Sequence, residues 1–327
     1  MKTRKSLTRI MSGALALSAA AIMFAGTTAT ASDWPDRPFT VMIPYTAGGA
    51  SDFQARIATI PSEEYLGFPT AIINRPGAGG QVGWNQVVQQ ADTSGSQLAG
   101  YNVPHFIAQS IMHDTYYNIG NLEPIANWGV DPAVLVVHRD SEFDSVDDLV
   151  AYAKENPGRV TFSGAGQFVG HHIATMQLEA AAGIELRYVP TSGGVDAMRF
   201  VQGQQVMAGF NNLSDAYRGR DRLKILAIAD LERDEDFLPD VPTLMELGYE
   251  VDDSSVNFRG IMAPAGVSEE RLEWLSEKVV EMFNDERVAN QMKAGGSPMR
   301  VMNRQEVREM WERREVFLKE LFEGMDP

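Results

Sequence analysis

The sequence contains no cysteine, so a disulfide framework, a thiol nucleophile and a thiolate metal site are all excluded. Histidine is scarce as well: five residues, at 105, 113, 138, 171 and 172, with no HExxH or comparable ligand spacing. Basic residues are outnumbered, 28 Lys and Arg against 44 Asp and Glu, for a net charge of −16. Such a chain lacks the basic footprint that nucleic acid or an anionic membrane surface requires, and its excess of acids reads first as a solubility device. Long apolar runs are missing too. The stretch from Met11 to Phe24 falls short of the ~20 residues that span a bilayer.

That stretch nevertheless carries information. It follows Lys2, Arg4, Lys5 and Arg9 and precedes Ala29-Thr30-Ala31, the small-x-small form that a signal peptidase accepts. The pattern predicts a cleaved secretory signal over residues 1–31 rather than a membrane anchor, and hence a soluble periplasmic product with no direct membrane insertion. Cleavage would carry the charge from −16 to −20 and leave 296 residues, more naturally two domains than one. No repeat of 20–50 residues is visible, which excludes a solenoid.

From Phe39 onward, strand-like and helix-like blocks alternate. FTVMIPY, TAIINRPG and SQLAGYNV read as strands; SDFQARIATIPSEEYL, GWNQVVQQA and HFIAQSIM read as helices; the stretch around NIGNLEP is turn-rich. A second series opens with the strand PAVLVVHRD and the helix SVDDLVAYAKENPG. There Ser145, three residues before Asp148, is a candidate N-cap and Asn156-Pro157-Gly158 a stop. It continues with RVTFSG, GHHIATMQLEAAAG, ELRYVP, VDAMRFVQGQ, VMAGFNN and LKILAIAD. The chain then passes through VNFRGIMAPAG to C-terminal amphipathic helices with Leu272, Leu275, Val279, Met282 and Phe283 on one side. Alternating βα units predict an α/β fold with open, mainly parallel sheets, and two series of them predict two similar lobes.

Two segments could carry chemistry. In PYTAGGASDFQARI, residues 44–57, a strand ends at Pro44, a glycine-rich turn follows, and a helix opens near Ser51 and Asp52. Unpaired backbone N–H groups at such a helix start can hold an anion without a basic side chain, and Gly48 and Gly49 permit close approach. The same residues also suit an ordinary βα turn capped by Ser51 or Asp52. Asp52 itself could meet a ligand ammonium or complement the helix dipole. RVTFSGAGQFVGHHIA, residues 159–174, repeats this logic around Ser163-Gly164-Ala165-Gly166. Neither segment is a Walker loop, since no Gly-Lys-Ser/Thr follows, and Gly164, Gly166 and Gly170 have the wrong spacing for a dinucleotide fingerprint. His171 and His172 point about 100° apart on a helix and do not jointly suit one ion, so no metal is expected. GxSxG is absent and no nucleophile with a base is evident. No cofactor and no catalytic residue are predicted.

Taken in order, eight segments resemble the solute-binding proteins of the tripartite tricarboxylate transporter group, also called the Bug family. They are WPDRPFTVMIPYTAGGASD (34–52), INRPGAGGQVG (73–83), AVLVVHRDS (133–141), VDDLVAYAKENPGRVTFSGAG (146–166), VPTSGGVDAMRFVQGQ (189–204), AGFNN (208–212), LPDVPTLMELGYEV (238–251) and IMAPAGVSEERL (261–272). The resemblance implies a type II periplasmic binding fold with a hinge, lobe I comprising residues 32–131 and 254–327 and lobe II residues 132–253. It implies a first ligand grip formed by Tyr45, Thr46, Ala47, Gly48, Gly49, Ala50, Ser51 and Asp52, and a second by Ser163, Gly164, Ala165 and Gly166. Phe168, His171 or His172, Thr191, Ser192, Gly193, Gly194, Asp196, Asn211 and Asn212 would line the rest. Read from the residues themselves, Tyr45, Phe168 and Phe258 are either an aromatic or apolar wall of the pocket or, as is more common for such positions, core residues.

Three departures from the family pattern bear on the pocket. Relatives often carry Tyr-Lys-Gly where Thr191-Ser192-Gly193 stands, Asp-Asn where Asn211-Asn212 stands, and an aromatic where Arg259 stands. Arg259 would pair either with a second ligand carboxylate or with a surface acid. The implied function is capture of a small carboxylate (a di- or tricarboxylate or an aromatic acid) by a monomer that hands it to membrane permease subunits. A periplasmic sensor serving a signalling receptor is the alternative, and a hydrolase on the same lobes a more remote one.

Overall fold

The computed structural model describes residues 34–323, so the leader predicted over residues 1–31 lies outside the described residues. The first lobe begins with β1 (Phe39–Ile43), α1 (Ala50–Ala58), α2 (Ser62–Leu66), β2 (Thr70–Asn74), α3 (Gln81–Gln89), β3 (Gln97–Val103), α4 (His105–Met112) and β4 (Leu122–Asp131). The second comprises β5 (Ala133–His138), α5 (Val146–Glu155), β6 (Thr161–Gly164), α6 (Gly170–Ala182), β7 (Arg187–Pro190), α7 (Gly194–Gln202), β8 (Ala208–Asn212), α8 (Leu213–Gly219) and β9 (Leu223–Ala229). The chain returns through β10 (Asn257–Pro264), α9 (Glu269–Phe283), α10 (Glu286–Ala294), β11 (Met299–Met302) and α11 (Arg304–Leu321). Among the described residues no helix is long and apolar enough to cross a membrane.

The strands form two sheets, a six-stranded one in the order β11-β4-β10-β3-β1-β2 and a five-stranded one in the order β7-β6-β8-β5-β9. Both are mixed rather than mainly parallel. Strands joined by helical crossovers pair in parallel, β1 with β2 and β3, and β6 with β7 and β8. β10, in contrast, runs antiparallel between β3 and β4, and β5 antiparallel between β8 and β9. β5 and β10 are the first strands after each passage between lobes, so no crossover helix sets their direction.

Local sequence explains most elements. Ser145 caps α5 by accepting from the Asp148 amide at 3.1 Å. The single helix expected over 51–66 is two, because Pro61 cannot continue α1. β4, α8 and β11 carry no strong period in sequence; Pro124, Asn127 and Gly129 interrupt β4 with poor strand formers. In β5, Leu135 and Val137 join one buried cluster with Phe162, Phe210 and Leu178, while Val134 and Val136 join another with Val201, Leu213 and Ile228. Successive side chains face opposite layers, and both layers are covered, which is why β5 reads as an unbroken apolar run. Each such buried side chain contributes about 1.5–3 kcal/mol. In the first lobe Trp84, Phe106, Trp311 and Tyr101 pack edge to face at centroid separations of 4.8–5.9 Å, fixing α4 against α3, α11 and β3.

Candidate functional site

A small cavity of about 20 Å3 lies between the lobes. One wall is the start of α1. Gly49 is its N-cap with φ −76° and ψ 171°, and no side chain caps the helix, so the amides of Ala50 and Ser51 have no partner within it. Facing it is the start of α7, again with a glycine N-cap, Gly193, and no side-chain cap. Gly194 and Val195 follow into the lining. The two ends approach closely: a methyl group on Gly49 would sit 3.4 Å from Val195 Cγ2, and one on Gly193 would sit 3.5 Å from Thr46 Oγ1. Two uncapped helix N-termini, each carrying roughly half a positive charge, thus look into one small space.

The expected second grip differs. α6 starts only at Gly170, and the turn before it satisfies its own donors: the Ala165 amide donates to His171 Nδ1 and the Phe168 amide to His172 Nδ1, both at 3.1 Å. Of that turn only Ala165 and the neighbouring His171 reach the cavity. The helix start that faces α1 belongs to α7.

The floor is polar and internally paired. Arg259, 1% exposed, forms an ion pair with Asp131, which is fully buried. Its guanidinium also donates to Asn212 Oδ1 at 2.7 Å and Gln54 Oε1 at 3.3 Å. The Asn102 amide turns its oxygen to Arg259 Nε, 3.3 Å away, and its nitrogen to the Tyr101 carbonyl. The acid paired with Arg259 is a buried one at the end of β4, not the surface group that was one of the two expectations, and Arg259 lines the cavity with that partner already in place. A strand buried along its whole length can carry an arginine only with such a partner. Asp215, also in the lining, pairs with Arg218 and accepts from Asn212 Nδ2 at 3.1 Å; burial raises its pKa against that pairing. His171 Nε2 lies 3.2 Å from Asn212 Oδ1, and burial lowers its pKa to about 4. The imidazole is neutral at pH 7.

Of the residues singled out from sequence, the cavity gathers Tyr45, Thr46, Gly49, Ala50, Ser51, Ala165, His171, Gly193, Gly194, Asn212 and Arg259. The others lie elsewhere. Ala47 and Gly48 are exposed. Asp52 turns back on its own turn, accepting from Gly48 N at 2.8 Å, Asn74 and Arg56; burial works against its ionisation, but those bonds outweigh it and lower its pKa. Ser163 donates to Ala197 O, Gly164 ends β6, and Gly166 packs where a methyl group would lie 2.8 Å from Gly79 Cα. Phe168 contacts His113 and Phe322, and His172 stacks on Tyr188 at 4.3 Å. Phe258 lies under Arg300 and Arg314. Thr191 bridges the Gly164 and Gly193 carbonyls, Ser192 is exposed, Asp196 pairs with Arg199, and Asn211 donates to Gly194 O.

Sequence reasoning missed Asn102, His105, Val195, Asp215 and Asn257, which complete the lining. Two of them had a signal: Asn102 and Asn257 are polar positions in otherwise buried strands, a pattern that marks either a paired network or a site. Among the described residues no group of three or more His, Asp or Glu is arranged to hold a metal.

The family model for the tripartite tricarboxylate transporter family receptor matches residues 54–318. Protein BugT of Bordetella pertussis is 29% identical over 272 residues, covering 82% of this chain and 83% of BugT. Among solved structures, Rpa4515 of R. palustris with adipate superposes with a TM-score of 0.81 at 21% identity, over 89% of this chain and 98% of that one. MatC (Rpa3494) from Rhodopseudomonas palustris with bound malate gives 0.78 at 23% identity, over 88% and 99%.

Proposed function

The chain belongs to the tripartite tricarboxylate transporter receptor family, and from that premise we propose that it captures a small organic carboxylate by closing its two lobes and delivers it to membrane permease subunits, with no covalent chemistry. One observation carries this reading: the inter-lobe cavity is faced by the uncapped N-termini of α1 and α7, while every charged side chain in its lining is already paired. Backbone dipoles are therefore the groups left to bind an anion. Adipate and malate in the structural neighbours support a carboxylate as that anion. The hinge in this reading comprises the β4–β5 connection at Asp131 and the segment before β10, and the leader over residues 1–31 exports the protein to the periplasm.

A thermal-shift screen over mono-, di- and tricarboxylates and aromatic acids tests the reading. A ligand present at a hundred times its Kd stabilises the folded state by about 2.7 kcal/mol, a rise of several degrees in melting point. A panel in which no acid moves the melting point, or in which a bound acid is converted to product, would refute it.

A further inference from the structure

His105 stands apart from the other polar side chains around the cavity. It opens α4 directly after β3, is 2% exposed, and lines the cavity beside Tyr45, whose ring lies edge-on at 5.9 Å. Its Nδ1 is buried with no hydrogen-bond partner. The other buried polar side chains of the lining are engaged: Arg259 by Asp131, Asp215 by Arg218, His171 by Ala165 N and Asn212, Asn102 by Ser51, and Asn257 by Asn212. A buried ring nitrogen without a partner is destabilising, and at a cavity wall a ligand oxygen can supply the missing bond. Burial, reinforced by His171 and Arg259, holds the His105 pKa well below its ordinary value. The imidazole is therefore a neutral group that can donate from one nitrogen and accept at the other.

Taking the carboxylate to be held by α1 and α7 as in the function proposed above, we propose that His105 is the specificity-determining residue of the cavity and reads a second oxygen function on a bifunctional acid. That function is a hydroxyl, a carbonyl or a second carboxylate; a simple aliphatic monocarboxylate would leave the imidazole unpartnered. The physical basis is the asymmetry of buried hydrogen bonds, in which a site built to pair a ligand oxygen discriminates strongly against the analogue that lacks it.

Matched acids test this by calorimetry: butanoate, 3-hydroxybutanoate and succinate, and their six-carbon counterparts hexanoate, 6-hydroxyhexanoate and adipate. In the wild-type chain the hydroxy acid or the diacid of one series binds at least tenfold more tightly than its monocarboxylate, and which of the two does so identifies the second group. In His105→Phe that advantage falls to within twofold; His105→Gln, which restores a donor and an acceptor, recovers part of it. Because the phenylalanine variant could misfold, the wild-type chain labelled with 15N-histidine supplies an independent readout, a shift of the His105 ring nitrogens by several ppm on ligand addition. An advantage unchanged in His105→Phe, or ring resonances that do not move, overturns the role of His105 while leaving carboxylate capture standing. Failure of all six acids and of the wider panel to bind the wild-type chain overturns both.

Discussion

Arg259 and the two adjacent histidines illustrate how a side chain's surroundings decide its role. Breaking a buried ion pair from one side leaves an uncompensated charge and costs about 3–5 kcal/mol. Arg259→Met is therefore expected to destabilise the fold by about that amount in urea denaturation, and the added change Asp131→Asn to recover a large part of it. Equal stability of the single and double variants would show that the pair is not coupled. Burial holds His171 and His172 at about 4, below the ~6.5 of an exposed imidazole. Between those values the unfolded chain binds protons that the folded chain refuses, so the stability each provides is full above about 6.5 and is lost as pH falls toward 4. Asp230, which burial pushes up to about 6, acts in the opposite sense and gains stability on acidification. Comparing His172→Phe, whose ring can still stack on Tyr188, with the wild type isolates one of these terms. The variant should lose about 2 kcal/mol less stability between pH 7 and pH 4.5, and identical losses in the two chains would exclude His172.

At the scale of elements, helix ends do two different jobs. α11 closes its own N-terminus with a capping box, Asn303 Oδ1 accepting from Glu306 N at 3.0 Å and Glu306 Oε2 from Asn303 N at 2.8 Å. Asn303→Ala should cost about 1 kcal/mol of stability with no effect on ligand affinity. α1 and α7 instead begin at glycines and leave their first amides to the cavity. Proline is accepted at the first position of a helix, and Gly49 already has the extended backbone that a following proline requires. Ala50→Pro thus removes one donor from the cavity with α1 intact. On the proposed function it lowers carboxylate affinity about tenfold, the scale of one hydrogen bond to a charged group, at a nearly unchanged melting point for the ligand-free protein. Unchanged affinity would remove α1 as an anion site. The turns were legible in sequence because glycine after a strand and a polar first turn are local signals. That α7 and not α6 faces α1 was not, because Ala165 and Phe168 spend their amides on histidines six and four residues ahead.

In the whole molecule the lobes meet beside the cavity at two glycines from distant motifs. Gly166 has φ +151° and Gly79 φ +64°, both in backbone regions that favour glycine, and Gly166 approaches the Gly79 backbone too closely for any side chain. Around them Gln109 Nε2 donates to the Gln167 carbonyl at 3.0 Å, and Tyr45 Oη to the Gly79 carbonyl at 2.9 Å. Gly166→Ala should hold the lobes apart. Small-angle scattering with a bound acid would then show a larger radius of gyration than for the wild type, with affinity reduced at least tenfold. A wild-type radius in the variant would mean that this contact does not govern closure.

Sequence by itself determined the lobes' building blocks: apolar strands covered on both faces, βα turns rich in glycine, a proline that splits one helix, and an acidic surface without cysteine chemistry. These follow from interactions between residues a few positions apart, and they suffice to place the family. Tertiary structure alone decided which of His171 and His172 faces the cavity, that Arg259 answers to an acid 128 positions away, and that Asn102, His105 and Asn257 stand beside it. The reason is geometric. The lining is assembled from the ends of strands and helices in both lobes, so its charge balance and its one unpartnered histidine exist only once the two lobes have been brought together.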